Sequence, residues 1–169
     1  MTRPRPQLLL LPLAVLLATT LTGCYTVRNS IPDHIKSIAV PVFRNESLQS
    51  GVEDEITRKV IATFQSSNAL PIADAATANA LVDGVVKSYE NKVYRIDAQE
   101  QAQEYIVIIT SNVLVKDRVK NKELWSEEGI RVTATYAVVG PTVRTEAEAR
   151  SEAVDQLADI IRSRTVEGW

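Results

Sequence analysis

Apolar residues crowd together only once in this chain, from Leu8 to Leu21, where Pro12, Thr19 and Thr20 are the sole exceptions. Beyond that run the pattern changes to the periods of folded structure. Ile35 to Phe43 (IKSIAVPVF) is rich in β-formers, with Ile38, Val40 and Val42 on one face. Pro41 has no N–H to give, so this strand is irregular or unpaired there. Val52, Ile56, Val60 and Phe64 recur every fourth residue and predict an amphipathic helix ending near Ser66 to Asn68. Ser50 stands three before Glu53, the spacing of a capping box, and Glu53-Asp54-Glu55 suit a helix N-terminus. After an alanine-rich connector, Leu81 to Tyr94 alternates, with Val82, Val86 and Gly84 set against Leu81, Val85 and Tyr89. A polar tip leads into Glu104 to Val115 (EYIVIITSNVLV), the strongest strand pattern in the chain. There Ile106, Ile108 and Leu114 fall on one face, and Tyr105, Val107, Ile109, Val113 and Val115 on the other. A turn, Lys116 to Lys122, precedes a strand from Glu123 to Tyr136 that is interrupted near Glu127-Glu128-Gly129. Thr145 with Glu148 repeats the capping-box spacing ahead of a helix to about Thr165, its stripe running through Ala149, Ala153, Leu157, Ile160 and Ile161.

The order is β-α-β-β-β-α. Two helices on one face of a four-stranded mixed sheet make a two-layer α/β (α+β) sandwich, with Ile108 and Leu157 expected in the sheet–helix core. The lengths do not match. A helix of 15 residues spans roughly 22 Å, whereas a 12-residue strand spans roughly 40 Å. Apolar residues on both faces of the strands therefore leave surface for a partner.

The Leu8–Leu21 run is too short for a membrane span of about 20 residues and carries a proline. With Arg3 and Arg5 before it and Leu21-Thr22-Gly23-Cys24 after it, it has the parts of a secretory signal. The Leu-Thr-Gly-Cys end resembles the bacterial lipobox, in which the cysteine is acylated and the chain is cut before it. Residues 1–23 thus read as a lipoprotein signal peptide, 24–34 as acylated N-terminus and linker, and 35–169 as a single domain. A buried free cysteine is the competing reading of Cys24, but no second cysteine exists and Gly23 sits directly before it. The lipoprotein resemblance implies three acyl chains, enough for stable attachment. Tyr25, where an aspartate commonly favours inner-membrane retention, implies the outer membrane, with the domain on its periplasmic side.

Loss of the two signal arginines takes the formal charge from −2 to −4, without the basic balance of a nucleic-acid binder. His34, the single histidine, reads as an exposed linker residue; a lone histidine excludes a multi-histidine metal site and leaves no obvious Ser-His-Asp arrangement. No glycine-rich phosphate loop occurs, and the Glu53-Asp54-Glu55 trio reads as solvated helix-start acids. Nothing supports an enzyme or a cofactor. The one chemical candidate is the set Lys116, Arg118, Lys120 and Lys122. Alternation puts these cations on one side of an extended turn, a clamp for phosphate; a solvated hairpin tip guarded by lysines explains the same residues.

The chain resembles the LPS-assembly lipoprotein family LptE. The resemblance rests on Cys24-Tyr25, on Ile31 through Asn45 (IPDHIKSIAVPVFRN), and on Gly51-Val52-Glu53 opening a helix with Thr57. It continues through Ala73-Asp74-Ala75, Asp83-Gly84-Val85, Tyr105, Leu124-Trp125 and the Glu146-to-Ala158 helix. It implies a two-layer sandwich that plugs a large outer-membrane β-barrel, LptD, and inserts lipopolysaccharide (LPS) with it. The turn cations would then be candidate LPS-phosphate contacts. Curli-secretion (CsgG-like) lipoproteins, which assemble into their own oligomeric pore, share the acylated cysteine and an Ile-Ala-Val-x-x-Phe-like strand and are the alternative resemblance.

Overall fold

The computed structural model describes residues 31–167, so the expected signal peptide, Cys24 and Trp169 lie outside the described residues. Two very short strands, β1 (Ile38–Ala39) and β2 (Arg44–Asn45), precede helix α1 (Val52–Ser67). Three long strands follow, β3 (Ala80–Ile96), β4 (Ala102–Asp117) and β5 (Lys122–Ala137), and then helix α2 (Glu146–Val166). β3, β4 and β5 form an antiparallel meander, and β1 and β2 both lie parallel to β3 on its outer side. The sheet is mixed, with helices α1 and α2 packed on one face over a single core.

It has five strands rather than four because pairing with β3 lapses after Ala39, through Pro41 and Phe43, and resumes at Arg44–Asn45, just past the expected Ile35–Phe43 strand. Val42 is 62% exposed, against its expected place beside Ile38 and Val40, whereas Phe43 turns inward and is buried. The Phe43 N–H donates to Thr57 Oγ1 of α1 (3.0 Å) instead of to a strand. The Phe43 ring lies on Gly84 of β3, where a Cβ would stand 2.1 Å from its Cε1. Only the missing side chain at Gly84 allows this contact.

The α1 N-terminus differs from the expected capping box. Its N-cap is Gly51 in the left-handed region (φ 85°), with no side-chain cap. The Glu53 carboxylate instead accepts from Asn45 Nδ2 (2.7 Å), tying the helix start to β2. At α2 the expected box forms: Thr145 Oγ1 accepts the Glu148 N–H, and Glu148 Oε2 accepts the Thr145 N–H (2.7 Å).

Ile56, Val60 and Phe64 of α1 and Ala153, Leu157 and Ile161 of α2 meet Val82, Val86, Ile109, Val115 and Val132 in the core. A bulge at Lys87 makes Val86 face Ser111 but Ser88 face Thr110. This shifts the alternation by one residue, which places Tyr89, expected opposite Val86, against the core. Ile108 is buried but lies on the other face, between Glu90 of β3 and Thr133 of β5. β5 runs through Glu127–Gly129 as one strand with a second irregularity, where Asn112 Oδ1 accepts the Gly129 N–H (2.9 Å).

The mismatch of lengths is larger than the sequence suggests. β3 has 17 residues, roughly 56 Å, and α1 has 16, roughly 24 Å. Glu146, at the start of α2, accepts from the Tyr89 hydroxyl (2.6 Å) and Asn91 Nδ2 (2.8 Å). Beyond that point the β3–β4 hairpin projects past the helices and exposes Val93, Tyr94 and Ile96.

Candidate functional site

The end of the sheet opposite that hairpin is built around Asp117, the last residue of β4. Its side chain continues the core-facing phase of Val113 and Val115 and is only 2% exposed. Oδ1 accepts the N–H groups of Val119 and Lys120 (both 2.9 Å), which shapes the β4–β5 turn. Oδ2 is 2.6 Å from His34 Nε2. Burial opposes the ionised carboxylate, but the Lys120 N–H, the His34 ring and the Val119 N–H outweigh it, so Asp117 titrates below the ordinary aspartate range. His34 is therefore not an exposed linker residue. It is a half-buried clasp that holds the incoming N-terminal segment against the turn.

The four predicted cations frame this turn but do not share one side. Lys116 pairs in register with Leu81 and Glu123, on the face without helices. Lys122 pairs with Asp117, whose phase is that of the core, so it belongs to the opposite face. Alternation fails because Asp117 folds the chain into a tight turn, with Asn121 at φ 50°. Arg118 is held across the connector after α1: its N–H donates to the Asn79 carbonyl (2.8 Å) and its guanidinium to the Ala75 carbonyl. Lys120 is exposed beside Val119 at the tip. None of the four has a carboxylate partner among the described residues, whereas Arg44, Lys59, Lys87, Lys92, Arg95, Arg144, Arg150, Arg162 and Arg164 all do.

Sequence reasoning missed Lys36, which joins the same end. The Asn79 side-chain oxygen accepts the Lys36 N–H (3.0 Å), while the Asn79 carbonyl holds Arg118. Next to it open two adjoining cavities, of about 370 and 240 Å3, that share Ile31, Pro32, Ile35 and Leu70. The shared apolar floor and the thin scatter of polar groups give neither cavity the convergent acids or bases of a catalytic cleft. No group of metal-ligating side chains occurs among the described residues. No described helix is long and apolar enough to cross a membrane.

At the far end a different polar cluster closes the core. Burial, and then the hydrogen bond and charge of Glu146, push the Tyr89 hydroxyl well above its ordinary value, so it stays a proton donor. Tyr136 stacks on Tyr105 with ring centroids 5.5 Å apart. Arg150 Nε donates to Glu55 (2.8 Å) and links α2 to α1. These contacts are mutually satisfied and read as a lid on the core rather than a binding site.

A family model described as LptE, lipopolysaccharide-assembly, matches residues 35–165. No curated protein matches the chain. Among solved structures, a hypothetical protein from Chlamydia trachomatis aligns with a TM-score of 0.54 at 11% identity, over 79% of this chain and 96% of its own. A minor lipoprotein from Acinetobacter baumannii gives 0.50 at 15% identity, over 79% and 92%. The rare lipoprotein B from Shewanella oneidensis gives 0.47 at 23% identity, over 72% and 91%. At these identities the first two likenesses speak for the fold.

Proposed function

The chain belongs to the LptE family of lipopolysaccharide-assembly proteins, and from that premise we propose that it is an outer-membrane lipoprotein with no catalytic step of its own. It is anchored on the periplasmic side through Cys24 and acts with an LptD-like β-barrel to insert LPS. The observation that carries this reading is the length of the sheet. Three strands of 16 or 17 residues outrun the helices, and their helix-free face and projecting hairpin suit enclosure by a larger partner. A barrel lumen supplies such an enclosure. Lys116, Arg118, Lys120 and Lys122 are the proposed contacts for LPS phosphates, since Arg and Lys make charge-assisted hydrogen bonds to phosphate.

Purification of the chain from outer membrane tests the partner: a large β-barrel recovered with it in a one-to-one ratio is expected. A ring of self-copies without a barrel would overturn the proposal in favour of a self-assembling pore. For the contacts, substitution of all four cations by Ser is expected to weaken binding to immobilised LPS at low salt and to flatten its salt dependence. Arg58 and Arg131, which also lack carboxylate partners among the described residues, serve as the control pair. Equal loss per charge in both variants would reduce the effect to net charge.

A further inference from the structure

Four parts of the chain meet around the two adjoining cavities: the entering N-terminal segment, the connector after α1, the start of β5 and the last turn of α2. Their common floor is firm, since Ile35 and Leu70 are buried, and Ile31 is half-buried against the core. Val166 closes the larger cavity, and Arg164 and Thr165 the smaller. That helical wall is fixed: Trp125 Nε1 donates to Thr165 Oγ1 (3.1 Å), which itself donates to the Ile161 carbonyl (2.6 Å). An apolar cavity of about 150 Å3 already holds a benzene ring. Volumes of about 370 and 240 Å3 leave room for a larger aromatic side chain.

The chain supplies one next to them. The Glu167 N–H donates to the Ser163 carbonyl (2.7 Å), which makes Glu167 the C-cap of α2. Gly168 and Trp169 are the two residues that follow. Glycine just past a C-cap lets the chain turn back through the left-handed region, and an apolar residue after it packs on the last helical turn. Here that turn is the cavity wall, and Trp169 follows Val166 by three residues, a reach of at most about 11 Å. We propose that the chain turns back at Gly168 and seats the Trp169 indole in these cavities, on Ile31, Pro32, Ile35 and Leu70. The charged rim suits an indole. Asp33, exposed beside the larger cavity, is an acceptor for the ring N–H. Arg164 is drawn to Glu127, whereas Lys36 has no carboxylate partner among the described residues and is free to lie over the ring face. The seat makes no use of the hairpin, the helix-free face or the turn cations. It ties the end of α2 to the entering segment, a second hold beside the His34–Asp117 clasp.

The test labels the purified full-length protein with 5-fluorotryptophan. The chain has two tryptophans, so two fluorine resonances are expected, assigned through Trp125→Phe. Trp125 is buried and serves as the internal standard for a protected ring and for folding. A soluble paramagnetic agent is expected to broaden the Trp169 signal several-fold less than that of free 5-fluorotryptophan. Gly168→Pro denies both the left-handed turn and the N–H that closes it, and Ala69→Phe puts a ring into the larger cavity from its rim. Each is expected to raise the broadening of Trp169 to that of the free amino acid while Trp125 stays protected. Full broadening of Trp169 in the unsubstituted protein would overturn the proposal. So would protection that survives both substitutions, which places the ring elsewhere, or protection that appears only once LPS is added, which gives the cavities to another occupant.

Discussion

Gly84→Ala is a single methyl substitution that the fold has no room for. An ideal Cβ at this position meets three atoms of the Phe43 ring, at 2.1, 2.3 and 2.4 Å, far inside the 3.5–4.0 Å optimum for carbon pairs. The ring cannot step aside, because Phe43 is 2% exposed and its backbone N–H is held by Thr57 Oγ1 at 3.0 Å. Either the core shifts, at about 1–3 kcal/mol for overpacking, or the ring leaves, with a limit of about 3–5 kcal/mol for losing a buried phenylalanine. Replacing a strand glycine returns about 0.5–1 kcal/mol of backbone entropy; with three ring atoms inside 2.5 Å the clash belongs at the top of the overpacking range, so the net cost is about 2–4 kcal/mol. For a domain of this size each kcal/mol lowers Tm by about 3–4 °C, so a thermal melt should fall by roughly 6–16 °C. The contact is pairwise, so a double-mutant cycle with Phe43→Leu, a slimmer side chain, should show coupling of at least about 1 kcal/mol. A melt within 1–2 °C of wild type, about the error of a scan, or additive single mutants, would refute the argument that Phe43 occupies the missing side chain of Gly84.

Three further outcomes are expected. Ser111→Ala should be neutral or stabilising by about 1 kcal/mol in denaturant unfolding, because the Ser111 hydroxyl is fully buried with no hydrogen-bond partner. Asp117 titrates lower in the fold than its ordinary value of 3.8, so its contribution to stability is present above that value and is lost as pH falls through the lower folded value. Asp117→Asn should therefore flatten the acid limb of a stability–pH curve, and an unchanged limb would count against the carboxylate clasp. Leu157→Asp should cost several kcal/mol in a denaturant midpoint, since it leaves an unpaired charge in the core; Ile108→Asp should cost clearly less, because its face carries Lys92 and Arg131 within the same sheet.

Much of the fold was legible because the long strands and both helices obey their own periods. Leu81–Tyr94, Glu104–Val115 and Glu123–Tyr136 each fall inside the observed strands, since alternation over a dozen residues leaves few other solutions. What failed was local and cooperative. Nothing in Val86-Lys87-Ser88 separates a regular strand from a bulge, yet the bulge reverses the phase of everything after it and moves Tyr89 to the core. Ser50-x-x-Glu53 has capping-box spacing, but Asn45, eight residues before Glu53, competes for its carboxylate, and Gly51 supplies a left-handed entry instead. The irregularity at Pro41 was legible from the missing N–H; the inward turn of Phe43 depends on Gly84, 41 residues later, and was not.

The basic end was half legible for the same reason. Four cations in seven residues are visible in any reading of Lys116–Lys122, and an aspartate at the start of a turn suggests side-chain capping of the following N–H groups. The other half is the contact between His34 and Asp117, 83 residues apart. A lone histidine after Pro-Asp carries no local pattern that separates a clasp from a linker. Only the meander, which returns the end of β4 to the start of β1, brings the two together. The consequence reaches beyond stability. If the clasp did not exist, the segment after Cys24 would join the fold at Ile35 with its direction set by chain stiffness alone. With it, the entry point, the turn and Lys36 form one continuous surface through Asp117 and Asn79, so the point at which the N-terminal segment enters the fold and the position of unpaired positive charge are set by the same few hydrogen bonds.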